Sequence, residues 1–224
     1  MKLIGLMAYM RVNGKYLIGN NKGLPWACKE DMKNFVETTR GKKVIVSMKT
    51  LITIPNRLEG RTVYALTKDI AKYGYTAKTL PEGVTVYSNA TELLAKLRLE
   101  GDDCYVIGGG EVYDLFQHEI DKWELSEIGV TYIKSFGQDL VYADEIVSHL
   151  LKKIGSNDKD DPEVTLTVYH RAMGHGDVME LAESLKEGVN LGEMRNQGIV
   201  KFIVGGRPSC TMGISARYTF KQPY

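Results

Sequence analysis

The stretch Gly19-Asn20-Asn21-Lys22-Gly23-Leu24-Pro25-Trp26-Ala27-Cys28-Lys29-Glu30-Asp31 combines a loop with the beginning of a helix. Two glycines and two asparagines among its first five residues are typical of a loop. Small and polar residues give this loop little apolar surface to bury, so we expect it to be mobile. Pro25 and the acidic pair Glu30 and Asp31 then predict a helix over residues 30–39.

The predicted helix places a carboxylate beside an apolar face. The spacing of Met32, Phe35 and Val36 puts them on one side of the helix, and Asp31 lies next to them in the first turn. Asp31 should therefore face inward, where a carboxylate is costly without a cation or hydrogen-bond donors. No Lys or Arg on the same face supplies them. A ligand with adjacent N–H groups is the predicted partner.

Composition narrows the class of protein. The 224 residues are enough for one domain with an elaboration. With 29 basic and 28 acidic residues the net charge is +1, which does not indicate a nucleic-acid or membrane-surface protein. The three cysteines are widely spaced and form no CxxC, which argues against a disulfide framework or a metal site. No apolar run approaches membrane-spanning length, so we expect a cytoplasmic protein.

Two later segments complete a pattern with the first. Ile107-Gly108-Gly109-Gly110-Glu111-Val112-Tyr113 follows a short apolar run, and Val130-Thr131-Tyr132-Ile133 precedes Asp139. In order and spacing, the three segments resemble the dihydrofolate reductase family over residues 1 to about 171. That family has a flexible loop, then Pro-Trp, then an acidic residue five positions after the Trp, as at Pro25, Trp26 and Asp31.

Strands and helices alternate along the chain. Strands are predicted at residues 2–10, 43–47, 62–67, 83–87, 104–107, 127–134 and 163–171, and helices at 30–39, 91–99 and 111–118. This alternation favours a largely parallel sheet with crossover helices. Residues 163–171 alternate polar and apolar, which predicts an antiparallel, half-buried strand. The fold class is therefore α/β and, by the resemblance, dihydrofolate reductase-like: a mostly parallel twisted sheet with an antiparallel C-terminal strand, flanked by helices.

The resemblance divides the chain into a reductase-like domain, residues 1–171, and a C-terminal elaboration, residues 172–224. In the elaboration, residues 177–187 are amphipathic, residues 199–204 are apolar, and residues 216–220 alternate like a final edge strand of the same sheet. Residues 173–215 would then be a long insertion. We favour packing as its role over an anion site at Gly205-Gly206-Arg207-Pro208 or a dimer contact.

The resemblance implies NADPH-dependent reduction of 7,8-dihydrofolate to tetrahydrofolate by hydride transfer, in support of one-carbon and thymidylate metabolism. Asp31 would bind and orient the pterin, and Trp26 would hold a water near it. Tyr113 would lie near the nicotinamide and the pterin. Thr131 would hydrogen-bond the carboxylate, with Ser126 as the alternative alignment.

The substrate-binding residues that the resemblance implies are Met7, Ala8, Met32, Phe35, Ile54, Leu58, Arg61 and Ile107. Ile54 and Leu58 would pack on the aminobenzoyl ring. Arg61 would pair with the glutamate α-carboxylate, since a guanidinium offers two parallel donors. Arg57 is the nearby competitor for that role.

The implied cofactor-binding residues are Ala8, Ile18, Gly19, Asn20, Leu24, Lys49, Thr50, Thr67, Lys68, Gly108, Gly109, Gly110, Glu111, Val112 and Tyr113. The glycines let the backbone approach a pyrophosphate, and the family has a cis peptide that we expect at Gly108-Gly109. Met48 occupies a position where Arg is common, which leaves NADPH or NADH open. Lys68 could compensate.

Two other functions stay open. One is a reductase of the same fold acting on the pyrimidine intermediate of riboflavin synthesis, against which Pro25-Trp26 and Asp31 argue. The other is a binding or assembly protein with weak or no catalysis that works through its C-terminal elaboration. The expected partners are dihydrofolate and folate analogues, including antifolates, with no nucleic acid and no membrane. The expected state is a monomer or a homodimer.

Overall fold

The computed structural model describes residues 1–129, 132–170, 200–204 and 207–212. Its strands are β1 (Leu3–Val12), β2 (Lys15–Gly19), β3 (Lys43–Ser47), β4 (Thr62–Leu66), β5 (Val84–Tyr87), β6 (Cys104–Val106), β7 (Lys122–Ile128), β8 (Val141–Tyr142), β9 (Glu163–His170), β10 (Val200–Val204) and β11 (Arg207–Met212). Its helices are α1 (Lys29–Thr39), α2 (Met48–Leu51), α3 (Ala90–Glu100), α4 (Gly110–Phe116) and α5 (Asp144–Lys153). Short 3-10 turns span Pro55–Leu58 and Ala71–Tyr73.

The described strands form one sheet in the order β11-β10-β9-β7-β1-β6-β3-β4-β5, with β2 paired to β1 and β8 paired to β2. The pairs from β10 through β5 along this path are parallel, whereas β11 pairs with β10 in the antiparallel sense. The predicted α/β class, with a mostly parallel sheet flanked by helices, is confirmed.

The antiparallel strand is not the one that the sequence indicated. β9 runs parallel to β7, from Lys122 opposite Glu163 to Ile128 opposite Tyr169, so the antiparallel prediction for residues 163–171 is wrong. Val164, Leu166 and Val168 are buried, while Glu163, Thr165 and Thr167 between them are more exposed. This alternation shows that one face of the strand is better covered than the other. The alternation does not indicate whether the strand pairs in the parallel or the antiparallel sense.

The strand predicted over residues 127–134 also lies elsewhere. β7 covers Lys122–Ile128, and Gly129 then donates its N–H to the Tyr169 carbonyl before a turn. Helix α5 and strands β2, β8 and β11 were not predicted. Within the apolar run 199–204, Val200–Val204 form a strand, β10, whereas the predicted elements at 177–187 and 216–220 lie outside the described residues.

Local sequence explains where several elements begin and end. Asn13 and Gly14 have φ values of 50° and 73°, as a tight β1–β2 hairpin requires. The Asn89 side chain accepts hydrogen bonds from the N–H groups of Thr91 and Glu92 and so begins α3. Gly101, with φ of 79°, ends the same helix in the left-handed conformation.

Helices cover both faces of the sheet. One apolar cluster lies under α3, α4 and α5 and contains Leu97, Phe116, Trp123 and Leu150. On the opposite face, Met48 and Leu51 of α2 pack with Val44, Val46 and Ile107, and Phe35 of α1 adds to them. None of the described helices combines the length and the apolar character that a membrane crossing requires.

Candidate active site

The buried carboxylate that the sequence predicted is present at the beginning of α1. Asp31 is 8% exposed, although the helix as a whole lies on the surface and Met32 beside it is 46% exposed. Burial raises the pKa of Asp31 to about 6, and a hydrogen bond from Ser126 opposes part of this rise. Among the described residues no Lys or Arg contributes to this shift. The carboxyl group is therefore held inward without a cation, as a group awaiting a ligand would be.

The hydroxyl beside Asp31 belongs to Ser126 on β7. Ser126 is 5% exposed and lies close enough to the Asp31 carboxyl and the Tyr169 phenol to lower the pKa of both groups, against the larger rise that burial causes. Thr131, which the resemblance indicated for this contact, lies outside the described residues. Tyr169 did not stand out in the sequence, because it seemed to be one more apolar residue at the end of a strand. Its proximity to Ser126 depends on the pairing of β7 with β9.

The glycine-rich loop before α1 is tied to a distant segment. Asn20 closes a small turn with Gly23 and donates through Nδ2 to the Phe136 carbonyl at 2.9 Å. Asn21 Nδ2 donates to Asp139 Oδ2 at 2.6 Å. All these contacts are polar and solvent-exposed, so they are the kind that opens at low free-energy cost.

Trp26 anchors the end of this loop. Its side chain is 4% exposed and packs with Cys28, Tyr132 and Tyr169. Its backbone forms an isolated bridge with Ile133. The indole Nε1–H is buried and has no hydrogen-bond partner among the described residues. A buried donor of this kind requires an acceptor, which a water or a ligand can provide.

An apolar surface continues from Asp31. Phe35, Ile54, Leu58 and Ile107, four of the predicted substrate-binding residues, belong to one cluster. Ala8 is half-buried and packs in the neighbouring cluster around Trp26. The Met7 side chain is instead buried on the opposite face of the sheet, under α3, α4 and α5, so only its backbone faces this side.

Arg61 lies at the far end of the apolar surface. Its Nε donates to Thr39 Oγ1 at 2.9 Å, its Nη1 to the Glu59 carbonyl at 3.0 Å and its Nη2 to the Val36 carbonyl at 3.2 Å. The guanidinium also lies 5.9 Å from the Phe35 ring centroid. Burial, followed by the nearby Arg40, lowers the pKa of Arg61. A bound anion would offset both the cost of burying the guanidinium charge and its repulsion by Arg40. The Arg57 side chain is not among those that the structure describes.

The glycine turn packs against the beginning of α2. The Gly108-Gly109 peptide is cis, which confirms the prediction. The Ser47 N–H donates to the Gly108 carbonyl at 2.7 Å, and a Cβ on Gly109 would lie 2.7 Å from Thr50 Oγ1. No side chain fits at Gly109 without displacing Thr50. Two loops that follow parallel strands therefore meet closely at the carboxyl ends of β3 and β6.

The other predicted cofactor residues surround this turn. Ile18 lies next to Gly110, and Lys49, Lys68 and Glu111 are exposed. Thr67 binds the backbone of Asp69, and Val112 points into the core, where it is 1% exposed. Leu24 is 44% exposed on the loop. Tyr113 is 5% exposed, and its hydroxyl donates to the Leu6 carbonyl at 2.7 Å.

Residues 4–171 match the family described as dihydrofolate reductase. The chain is 27% identical over 165 residues to dihydrofolate reductase type 8 of Escherichia coli, covering 72% of this chain and 92% of that protein. It is 29% identical over 128 residues to dihydrofolate reductase of Mycoplasma genitalium, covering 57% and 78%.

Among solved structures, the fold is similar to that of dihydrofolate reductase from Enterococcus faecalis complexed with NADP(H) and RAB-propyl. The TM-score is 0.51 at 23% identity, over 63% of this chain and 77% of that chain. The family match spans the candidate site from β1 to the end of β9.

Proposed function

Since the chain belongs to the dihydrofolate reductase family by its match over residues 4–171, we propose that it reduces 7,8-dihydrofolate to 5,6,7,8-tetrahydrofolate with NADPH as the cofactor. The observation that carries this proposal is the buried, cation-free carboxyl of Asp31 beside an apolar surface. A pterin ring offers adjacent N–H donors on one edge and an apolar face, which is the complement of this site.

In this proposal Asp31 accepts hydrogen bonds from N3–H and the 2-amino group of the pterin. Two such contacts fix the ring in its plane, and orientation of this kind contributes much of the acceleration in a reaction without a covalent step. The negative charge of Asp31 also favours the form protonated at N5. Ser126, the second choice from the sequence after Thr131, lies beside the carboxyl and holds it in place.

Proton delivery to N5 is assigned to water rather than to Asp31. The unpaired indole N–H of Trp26 provides a fixed donor for one water near the site. The polar contacts of the loop, through Asn20 and Asn21, allow it to open and admit that water. Phe35, Ile54 and Leu58 pack on the substrate beyond the pterin, and Arg61 binds its terminal carboxylate.

The residues around the glycine turn fit a dinucleotide. Gly109 leaves no space for a side chain, and the first N–H groups of α4, at Gly110 and Glu111, are those that a helix leaves unpaired. When bound, NADPH supplies a hydride from its nicotinamide ring. The glycine turn holds the pyrophosphate, and Ile18 and Leu24 exclude water from the nicotinamide.

The preference for NADPH over NADH is assigned to Lys49 and Lys68. Both side chains are exposed, and each lies two residues after the carboxyl end of one of the adjacent parallel strands β3 and β4. Met48 is 1% exposed and faces the core, so it does not take part in binding the 2′-phosphate. A 2′-phosphate between two lysines gains charge-assisted hydrogen bonds that NADH lacks.

The test is NADPH oxidation at 340 nm with dihydrofolate, for the wild-type protein beside Asp31→Asn. We expect turnover in the wild type, a loss of at least a hundredfold in the variant, and unchanged NADPH binding in both. NADH should support less turnover, with the difference reduced in the Lys49→Ala, Lys68→Ala double variant. Absence of turnover in the wild type would refute the proposal, and equal loss of turnover and NADPH binding would refute the role of Asp31.

A further inference from the structure

A cavity of about 390 Å³ lies between the turn after α4, helix α5 and the amino ends of β7 and β9. The buried part of its lining is apolar and consists of Ile120, Trp123, Ile146 and Leu150, which belong to one cluster and are each at most 5% exposed. The volume is in the range of sites that bind small molecules.

The cavity is separate from the candidate active site. Trp123 and Ser126 are three residues apart on β7, so their side chains face opposite sides of the sheet. Ser126 lies beside Asp31, whereas Trp123 packs in the cluster under α3, α4 and α5. Among the described residues, none of those assigned to the pterin or to the cofactor lines the cavity.

Trp123 brings one polar atom into the apolar part of the lining. Its side chain is 0% exposed, and its indole Nε1–H is buried without a hydrogen-bond partner among the described residues. Gly5 of β1 lies against the Cε3 side of the indole, where a Cβ would collide with the ring. Since Nε1 is on the opposite edge from Cε3, the edge with the donor is the one left to border the cavity. A buried donor of this kind requires an acceptor.

The charged side chains around the cavity exclude a charged ligand. Four carboxylates and two ammonium groups border it: Glu119, Asp121, Asp160, Asp161, Lys153 and Lys159. Lys153 Nζ is already paired with Asp161 Oδ1 at 2.7 Å. An anion would therefore meet an excess of carboxylates. A cation would find only an N–H donor in the buried part, which leaves its charge unpaired.

We propose that this cavity binds a small neutral molecule with an apolar body and a carbonyl oxygen, such as a ketone or an amide. The apolar body packs on Ile120, Ile146 and Leu150, and the carbonyl accepts the hydrogen bond of Trp123 Nε1–H. The site does not depend on the proposed function, because it shares no residue with the candidate active site.

The test uses the full chain with 15N-labelled tryptophan. Its two indole N–H signals report on Trp26 in the candidate active site and on Trp123 in the cavity, and Trp26→Phe or Trp123→Phe assigns them. We expect acetophenone to cause a saturable downfield shift of the Trp123 proton signal. Ethylbenzene, which lacks the oxygen, should cause no downfield shift. Benzoate and benzylamine, an anion and a cation, should bind at least about tenfold more weakly than acetophenone.

A variant that fills the cavity provides a second measurement. Leu150→Phe adds volume to the lining and should weaken acetophenone binding about tenfold. Leu115→Phe is the matched control, because Leu115 is 59% exposed on α4 and does not line the cavity, so binding should be unchanged.

A Trp123 signal that does not respond to acetophenone would overturn the proposal, as would an equal downfield shift with ethylbenzene. A shift confined to Trp26 would assign acetophenone to the candidate active site and would overturn it as well. If Leu150→Phe does not fold, the comparison of the four compounds on the wild-type protein decides.

Discussion

At the scale of single residues, Asp31 links function to stability. Burial holds its pKa at about 6, above the ordinary 3.8, so the folded protein binds this proton more tightly than the unfolded chain. The free energy of unfolding therefore falls as pH rises from about 4 to about 6, and stays at the lower level above that. Without ligand, Asp31→Asn should be the more stable protein at pH 7, by up to about 3 kcal/mol.

Urea unfolding from pH 4.5 to pH 8 measures this difference. The advantage of Asp31→Asn should grow up to about pH 6 and then remain constant. Asp114→Asn, on the exposed side of α4, is the matched control and should show no such growth. A wild-type protein more stable than Asp31→Asn at pH 7 would mean that the carboxyl is better paired than its surroundings indicate.

Arg61 shows how one side chain combines structural and binding roles. A guanidinium has five N–H donors, and three of those of Arg61 bind Thr39, Glu59 and Val36. One N–H donor remains on each Nη and is available to a carboxylate. Arg61→Ala should weaken folate binding roughly tenfold or more, and a pterin without the glutamate tail should bind almost as before.

Fluorescence titration with both ligands measures the effect of Arg61→Ala, and chemical denaturation separates it from lost packing. Arg61→Lys keeps the charge but loses the fork, so it should recover little of the folate affinity. Equal weakening for the two ligands would assign Arg61 to the structure alone.

At the scale of elements, the β1–β2 hairpin is joined to β7 by a buried ion pair. Glu127, 4% exposed, accepts from Tyr9 Oη at 2.6 Å and from Arg11 Nε at 3.1 Å. Arg11 Nη1 in turn donates to the Tyr16 hydroxyl at 3.3 Å. Glu127→Gln would leave the Arg11 charge unpaired, so we expect it to lower the free energy of unfolding by about 3 kcal/mol.

A double-mutant cycle tests this pairing. Adding Arg11→Met to Glu127→Gln removes the unpaired Arg11 charge, so the double variant should be more stable than Glu127→Gln alone. Additive losses in the two single variants would show that the groups do not interact energetically.

Elements could be predicted where their pattern is local. β3 was predicted at its observed bounds, because three buried β-branched residues, Val44, Ile45 and Val46, lie between the polar residues Lys43 and Ser47. Asp31 was predicted to face inward and does so, although Met32, which the same helical spacing placed on the inward face, is 46% exposed. The direction of β9 could not be predicted in this way. It depends on β7, about 40 residues earlier in the chain, and the contact of Ser126 with Tyr169 depends on the same pairing.

At the scale of the whole molecule, the sheet continues past the region that matches the family. β10 pairs in parallel with β9 along Leu166–His170, and β11 pairs with β10. We propose that residues 1–171 form the reductase unit and that the C-terminal elaboration extends its sheet through β10 and β11. A chain ending at Arg171 would expose the backbone of β9 as an open edge, which favours association with other copies.

The truncated chain 1–171 should therefore unfold at lower denaturant concentration. It should also self-associate in sedimentation experiments, because the unpaired edge of β9 would pair with a strand of another copy. The chain 1–212, which keeps β10 and β11, is the matched control and should behave like the full protein. If 1–171 stays monomeric and as stable as 1–212, the two added strands do not stabilise the sheet. If 1–212 is destabilised to the same extent as 1–171, the stabilising contribution comes from residues 213–224 instead.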